Sequence, residues 1–204
     1  LCDIDEPFKR LLCQGMVIKD GSKMSKSVGN TVDPSAIIKQ YGADTARLFI
    51  LFGAPVERDL DWSDKGVEGC FRFLRRLFKI CTEVVENPVK PGKEAELIKQ
   101  THKTIQSVTK DLNKFSYNTA ISRMMELVNA CYTIGITNET ALTLAQLIAP
   151  LAPHLADELW HQLGQTGSVH QSEWPVFDAS LTVDDQITIV VQVNGKVRAK
   201  FEFD

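Results

Sequence analysis

The sequence has no apolar run near the roughly 18 residues that cross a bilayer, and nothing at its start resembles a secretory signal. It has no Cys-x-x-Cys pair. Cys2, Cys13, Cys70, Cys81 and Cys131 are widely spaced, and some fall on apolar helical stripes. That spacing argues against a zinc site or a disulfide framework, and a reducing, cytosol-like compartment fits it. The chain also lacks an initial Met; its opening Leu1-Cys2-Asp3 reads as a cut from something longer. Nor is there a dominant charge of one sign. The 23 basic and 26 acidic residues leave a net charge of −3, which argues against indiscriminate nucleic-acid binding. What remains is ordinary globular composition over 204 residues, enough for one sizeable core or two smaller pieces.

The charge is unevenly distributed. Residues 152–185 carry six acidic side chains and no Lys or Arg, while residues 65–93 are net basic. A protein that holds one polyanion in one orientation has this pattern, and so do many that hold none.

Periodicity divides the chain. Pro7, Phe8, Leu11 and Leu12 predict a short helix that stops at Gly15, and residues 16–19 predict a strand before an Asp20-Gly21 turn. No apolar period runs through residues 22–31, which predicts an exposed loop. Asp33-Pro34 caps a helix ending at Gly42, and Asp44 is positioned to cap another over residues 45–52. Ser63 caps the longest predicted helix, residues 64–86, with Val67, Cys70, Phe71, Leu74, Leu77, Phe78, Cys81 and Val84 on its apolar stripe.

After a Pro/Gly linker at residues 87–93, three more stripes follow. Ile98, Thr101, Ile105, Val108, Leu112 and Phe115 form the first. Ile121, Met124, Met125, Val128, Cys131 and Tyr132, behind an Asn118 cap, form the second. Leu142, Ala145 and Ile148 form the third, and Pro153 opens a last helix ending at Gly164. Five helices with short connections predict an antiparallel bundle.

At the end, residues 187–192 and 197–203 read as strands around Asn194-Gly195. A two-residue turn would set Val191 opposite Arg198. A three-residue loop with Gly195 left-handed would set Val191 opposite Val197 and Ile187 opposite Phe201, and is the expected register. Nothing after Asp204 covers its apolar face, so part of this domain is expected to be missing.

The segment with chemical content is Lys23-Met24-Ser25-Lys26-Ser27-Val28-Gly29-Asn30. Two ammonium groups three positions apart suit a departing pyrophosphate; hydroxyls and loop amides add neutral donors, and Gly29 lets the backbone bend. When a carboxylate attacks the α-phosphorus of ATP, charge grows on the bridging oxygen, and positive charge preorganised there lowers the barrier by about 3–4 kcal/mol per important donor. Taken alone, two lysines and two serines also make an ordinary solvated loop.

Context adds a resemblance. Residues 23–27 spell the second signature of class I aminoacyl-tRNA synthetases. Gly29-Asn30, Val32-Asp33-Pro34 and Tyr41-Gly42-Ala43-Asp44 resemble what the leucine, isoleucine, valine and methionine branch carries next. Residues 7–12, 44–49, 60–64 and 191–198, with Leu151-Ala152-Pro153-His154 and Glu158-Leu159-Trp160, are similar to the bacterial-type leucyl enzymes. Val28 departs from a position that is often basic in this family. The departure bears on an accessory phosphate or tRNA contact and leaves both lysines in place.

The resemblance implies ATP-dependent activation of leucine to leucyl-adenylate and transfer to tRNA(Leu), with Mg2+ accompanying ATP. It implies Lys23 and Lys26 as catalytic residues, Lys26 foremost, within an ATP-binding loop of Lys23, Met24, Ser25, Lys26, Ser27, Gly29 and Asn30. It also implies a mainly α architecture. An α/β remnant of a catalytic domain (residues 1–61) would precede an anticodon-binding-type helical bundle (62–176), and a β-hairpin (177–204) would begin a C-terminal α+β domain. That bundle would dock on the tRNA body. The His-x-Gly-His signature is absent, so this piece alone should be inactive. The parent would be a cytoplasmic monomer with no membrane contact, and no metal ligands are expected in this chain.

Arg72, Arg75, Arg76 and Lys79 lie opposite the apolar stripe and could meet successive phosphates, as could Lys196, Arg198 and Lys200 on the hairpin. A solvated helix face and a charged, aggregation-resistant strand edge look the same in sequence. Trp62, Trp160 and Trp174 read as packing residues, and His154 as structural. Two rivals stand beside the enzyme reading: a non-catalytic tRNA-binding module, and an isoleucyl enzyme, whose cysteine-rich tail is missing here.

Overall fold

The computed structural model describes residues 6, 8–183, 187–193 and 196–203. Residues 8–14 form no helix, and Phe8 and Leu11 stand 73% and 84% exposed. A two-turn helix is too short to hold itself without a surface for its apolar face, and this segment is covered by none among the described residues. Strand β1 (Val17–Lys19) follows, hairpinned to β2 (Ser22–Lys23) and paired in parallel with β3 (Leu60–Asp61). A parallel pair needs a crossover, and α1 (Pro34–Tyr41) and α2 (Ala43–Phe52) supply it. Asp33 caps α1 as expected, accepting from the Ser35 amide at 2.9 Å, and Gly42 ends it at φ 85°.

Five further helices form the bundle: α3 (Asp64–Thr82), α4 (Glu94–Asn113), α5 (Tyr117–Ile134), α6 (Asn138–Ile148) and α7 (Pro153–Gln162). The fold is thus mainly α, a helical bundle behind a small sheet. Ser63 caps α3 through the Gly66 amide, and Thr137 caps α6 through the Thr140 amide. Asn118 does not cap α5, which begins one residue earlier at Tyr117 behind Ser116. Helix α3 stops at Thr82, four residues short of the expectation. Asn87 folds its amide back onto the Glu83 carbonyl at 2.8 Å, just before Pro88 bars a further turn.

The core follows the predicted stripes with a rotation. On α3 the buried set is Val67, Cys70, Phe73, Leu74, Leu77, Ile80 and Cys81; Phe71 and Phe78 move to its flank, half-buried. Helix α3 is central, packing on α2, α5, α6 and α7, so its apolar arc is wider than one stripe. On α4, Leu97 is buried while Ile98 is 43% exposed. Thr101 stays in the core because its hydroxyl donates to the Leu97 carbonyl at 2.8 Å and lies 3.3 Å from that of Thr140 on α6. Cys70, Cys81 and Cys131 are buried free thiols. Burial pushes the first up to about 11 and the third up to about 12, and raises Cys81 further, so they pack as protonated small hydrophobes.

The linker between α3 and α4 is held against the end of α5. The Lys90 amide donates to the Ile134 carbonyl at 2.8 Å, and the Ile136 amide to the Asn87 carbonyl at 2.9 Å. Gly135 sits between these two bonds with φ 108°. Beyond α7, Trp174 donates to the Thr109 hydroxyl at 2.8 Å and the Asp178 amide to His102 Nδ1 at 3.0 Å, strapping this segment along α4. Trp62 packs edge-on to Phe49 with ring centroids 5.0 Å apart and Trp160 is half-buried, so these two pack against the core, while Trp174 is exposed and held by its hydrogen bond to Thr109.

The terminal hairpin joins β4 (Ile187–Val193) to β5 (Lys196–Phe203) in neither of the two registers considered. Val193 pairs with Lys196 and Gln192 with Val197, as a two-residue turn requires. Past a bulge, Val191 pairs with Ala199, Ile189 with Phe201 and Ile187 with Phe203. Arg198 is the extra residue. One inserted residue shifts the partner strand's alternation and matches apolar positions across the ladder without a longer turn. The conformation expected of Gly195 lies outside the described residues.

Candidate functional site

Two sites emerge from the residues singled out in the sequence. The first is the lysine loop, rooted in the three-stranded sheet. Lys23 ends β2, and the Met24 amide donates to the Val17 carbonyl at 2.8 Å, fixing where the loop departs. Residues 26–29 then form a turn in which the Gly29 amide lies 3.2 Å from the carbonyls of Ser25 and Lys26. Gly29 adopts φ 75°, the left-handed region that favours glycine. The Ser25 and Ser27 hydroxyls lie 3.1 Å apart, and Ser25 Oγ also accepts from the Val28 amide.

One side chain organises the whole loop. Asn30 Oδ1 accepts from the Ser25 amide at 2.9 Å, while its Nδ2 faces the Lys19 carbonyl and the Ser22 hydroxyl, each at 3.1 Å, and the Lys23 carbonyl at 3.3 Å. Asn30 belongs to the expected ATP-binding set, but its amide is committed inside the loop. Its part is to hold the two ends of the lysine segment together. Lys23, Lys26, Ser27, Val28 and Gly29 are exposed, Met24 and Ser25 half-buried, and no ion pair engages Lys23 or Lys26 among the described residues. Two unpaired ammonium groups on a stapled turn can receive an anion without first breaking a bridge.

The second site is a groove of about 850 Å³ between α2, α3, α5 and α7. All four cationic candidates on α3, Arg72, Arg75, Arg76 and Lys79, line it and are exposed. The Arg75 guanidinium lies 5.8 Å from the centre of the Phe71 ring, and that of Arg76 lies 4.7 Å from the Tyr132 ring. Tyr132 also donates its hydroxyl to the Arg76 carbonyl at 3.0 Å. These aromatic supports limit the freedom of the arginines, so less order remains to be imposed when an anion binds. Lys79 lies 4.0 Å from Glu83, an exposed pair of little strength.

By periodicity Tyr132 and Phe71 belong to the core; they are instead the platform under the arginines. Nor does periodicity reveal what the groove's far wall does. Asp44 does not cap its own helix; its carboxylate accepts from the Leu155 amide at 2.7 Å and meets His154 Nδ1 at 2.8 Å. No short-range signal exposes a partnership across 111 positions. The lysine loop does not share this groove. On the hairpin, Arg198 is exposed, and the side chain of Lys196 lies outside the described residues.

Two families of known proteins match parts of the chain. Residues 94–204 match the family described as the anticodon-binding domain of tRNA ligase, and residues 2–63 match that of the class I tRNA synthetases (I, L, M and V). The chain is 48% identical to a leucine–tRNA ligase of Geobacter sp. strain M21 and 50% identical to one of Geotalea uraniireducens strain Rf4, over 98% of its own length and 26% of theirs. It therefore spans about a quarter of the relatives it matches. Among solved structures, a LeuRS of Agrobacterium radiobacter K84, in a ternary complex with tRNA and LeuAMS, superposes with a TM-score of 0.83 at 30% identity. That match covers 98% of this chain and 28% of the other. The methionyl-tRNA synthetase of Mycobacterium tuberculosis with methionyl-adenylate shares the fold at TM-score 0.58 and 21% identity, over 75% of this chain and 38% of its own. The chain belongs to the anticodon-binding-domain family of tRNA ligases, and residues 2–63, ahead of that domain, match the class I tRNA synthetases.

Proposed function

We propose that this chain is the ATP-loop and tRNA-docking part of a leucine–tRNA ligase, the parent enzyme activating leucine with ATP and passing it to tRNA(Leu). The observation that carries the reading is the stapled, unpaired lysine turn set directly ahead of a bundle with a cationic groove. Similarity at 48–50% identity to leucine–tRNA ligases along nearly the whole chain supports it.

In this reaction a leucine carboxylate oxygen bonds to the α-phosphorus of ATP. The bond from that phosphorus to the bridging oxygen breaks, and pyrophosphate leaves with the electron pair. Lys26, aided by Lys23, meets the charge developing on the departing oxygens, and Ser25 and Ser27 shape the turn that carries them. Mg2+ bound with ATP would neutralise part of the phosphate charge, held mainly by parts of the parent outside these residues. Alone, this piece has no aminoacylation activity. Three parts serve the parent: residues 1–61 for the reaction, 62–176 for docking, and 177–204 toward the tRNA elbow, where Lys196 and Arg198 contact phosphate. The parent is read as a cytoplasmic monomer. No helix among the described residues is long and apolar enough to cross a membrane. A module that only bound tRNA would have no use for the lysine turn.

Two tests follow from the geometry. Asn30→Ala in the parent removes the staple while keeping both lysines. Leucine-dependent pyrophosphate exchange is expected to fall about 10- to 100-fold, the usual consequence of misplaced catalytic groups. A wild-type rate would show that the turn needs no such tie. Neutralising Arg72, Arg75 and Arg76 together is expected to flatten the salt dependence of tRNA binding by about one unit of slope for each phosphate no longer neutralised. An unchanged slope would return the ridge to an ordinary solvated face.

A further inference from the structure

Helix α7 starts without a cap of its own. Ala152 has no side-chain acceptor, Pro153 has no N–H, and the next amides, of His154 and Leu155, belong to the unsatisfied first turn. Asp44 of α2 supplies what is missing. Its carboxylate, 10% exposed, takes the Leu155 amide with one oxygen and faces His154 Nδ1 with the other. The cap is therefore tertiary, and it joins the crossover that carries the lysine turn to the last helix of the bundle.

We propose that Asp44 is a positioning residue that sets the helical bundle, and with it RNA seated on the α3 ridge, in register with the lysine turn. This rests on the function proposed above. Three observations carry it. First, the path from Lys26 to Asp44 is short and stiff: one turn, the Asn30 staple, and the two-turn helix α1 closed at Gly42. Second, Asp44, His154 and Leu155 line the same groove as Arg72, Arg75, Arg76 and Lys79. A bare carboxylate there would repel a polyanion, but both of its oxygens are committed to α7. Third, the buried apolar side chains of α2, Leu48 and Phe49, pack by a non-directional attraction that tolerates sliding, whereas a two-point carboxylate bridge admits one orientation.

The test uses the full-length synthetase and reads two half-reactions. Asp44→Ala is expected to lower kcat/KM for tRNA in aminoacylation about tenfold, within the range of typical coupling between sites, through a raised KM. Leucine-dependent pyrophosphate exchange, which needs no RNA, is expected to stay within about twofold of wild type. Asp44→Asn keeps an oxygen for the Leu155 amide and should recover most of the loss; Asp44→Leu should not. Equal losses in both half-reactions would overturn the proposal, because that pattern reports a damaged loop or general unfolding. No loss in either would overturn it too, as would an Asn variant as poor as the Leu variant. Failure of the underlying reading shows separately: Lys26→Ala and the arginine neutralisation leave Asp44 intact, and unchanged activity and binding in those variants would remove the reading itself.

Discussion

Replacing Lys26 with Ala in the parent synthetase is expected to slow leucine-dependent pyrophosphate exchange by about 10²–10³-fold, the scale seen when one preorganised donor to developing negative charge is removed. Its affinity for tRNA should barely change, since the lysine turn lies apart from the cationic groove of α3. The loss should appear mainly in kcat, because the charge that Lys26 meets is larger on the leaving pyrophosphate than on bound ATP. Arg serves as a second probe. It keeps the charge but presents a broad planar fork instead of a compact ammonium, so it should restore only part of the rate. An Ala variant exchanging pyrophosphate at the wild-type rate would remove Lys26 from the chemistry and leave a tRNA-docking scaffold.

Gly135→Ala is expected to destabilise the chain by about 3–5 kcal/mol, read as a lower midpoint in urea unfolding followed by circular dichroism. Two costs combine. Gly135 combines φ 108° with an extended ψ, a region almost confined to glycine, where another residue is strained by about 1–3 kcal/mol. A Cβ there would also overlap the Pro88 carbonyl oxygen and come within 2.6 Å of the Val89 Cα, both backbone atoms that cannot rotate away. Relief would push the linker off α5 and lengthen the two backbone hydrogen bonds that flank Gly135. Gly164→Ala separates the terms. Its φ of 78° carries the strain, but nothing lies within 4 Å of an added Cβ, so about 1–2 kcal/mol is expected. Equal losses at the two positions would show that the Pro88 contact costs nothing.

The parts legible in the sequence share a physical character: each depends on neighbours a few residues away. Asp33-Pro34 and Ser63 mark helix starts because a side-chain oxygen reaches an amide two or three positions on. Residues 24–31 were legible as a loop because they lack apolar periodicity, although Ser22 and Lys23, expected in that loop, pair with β1 as β2. The proposed chemistry came from the resemblance, because residue type alone fits an ordinary solvated loop as well. The stripes found four bundle helices and Pro153 marked the start of the fifth, but the stripes did not show which edge of each faced inward. Phe73 rather than Phe71 is buried on α3, and Leu97 rather than Ile98 on α4, because neighbouring helices choose the arc that is covered. Residues 8–14 show the converse: an apolar pattern without a surface to cover it forms no helix.

Local rules, then, determined the order of the seven α-helices among the described residues, the caps at Asp33 and Ser63, the loop that carries the lysines and the mainly helical class, since hydrogen-bond reach and helical period are set by adjacent residues. Tertiary structure alone decided that Asp44 caps α7 rather than α2, that Tyr132 and Phe71 support arginines instead of filling the core, and that the hairpin resolves its register with a bulge at Arg198. Those choices depend on which distant groups arrive at hydrogen-bond or van der Waals distance, and no spacing along the chain encodes that.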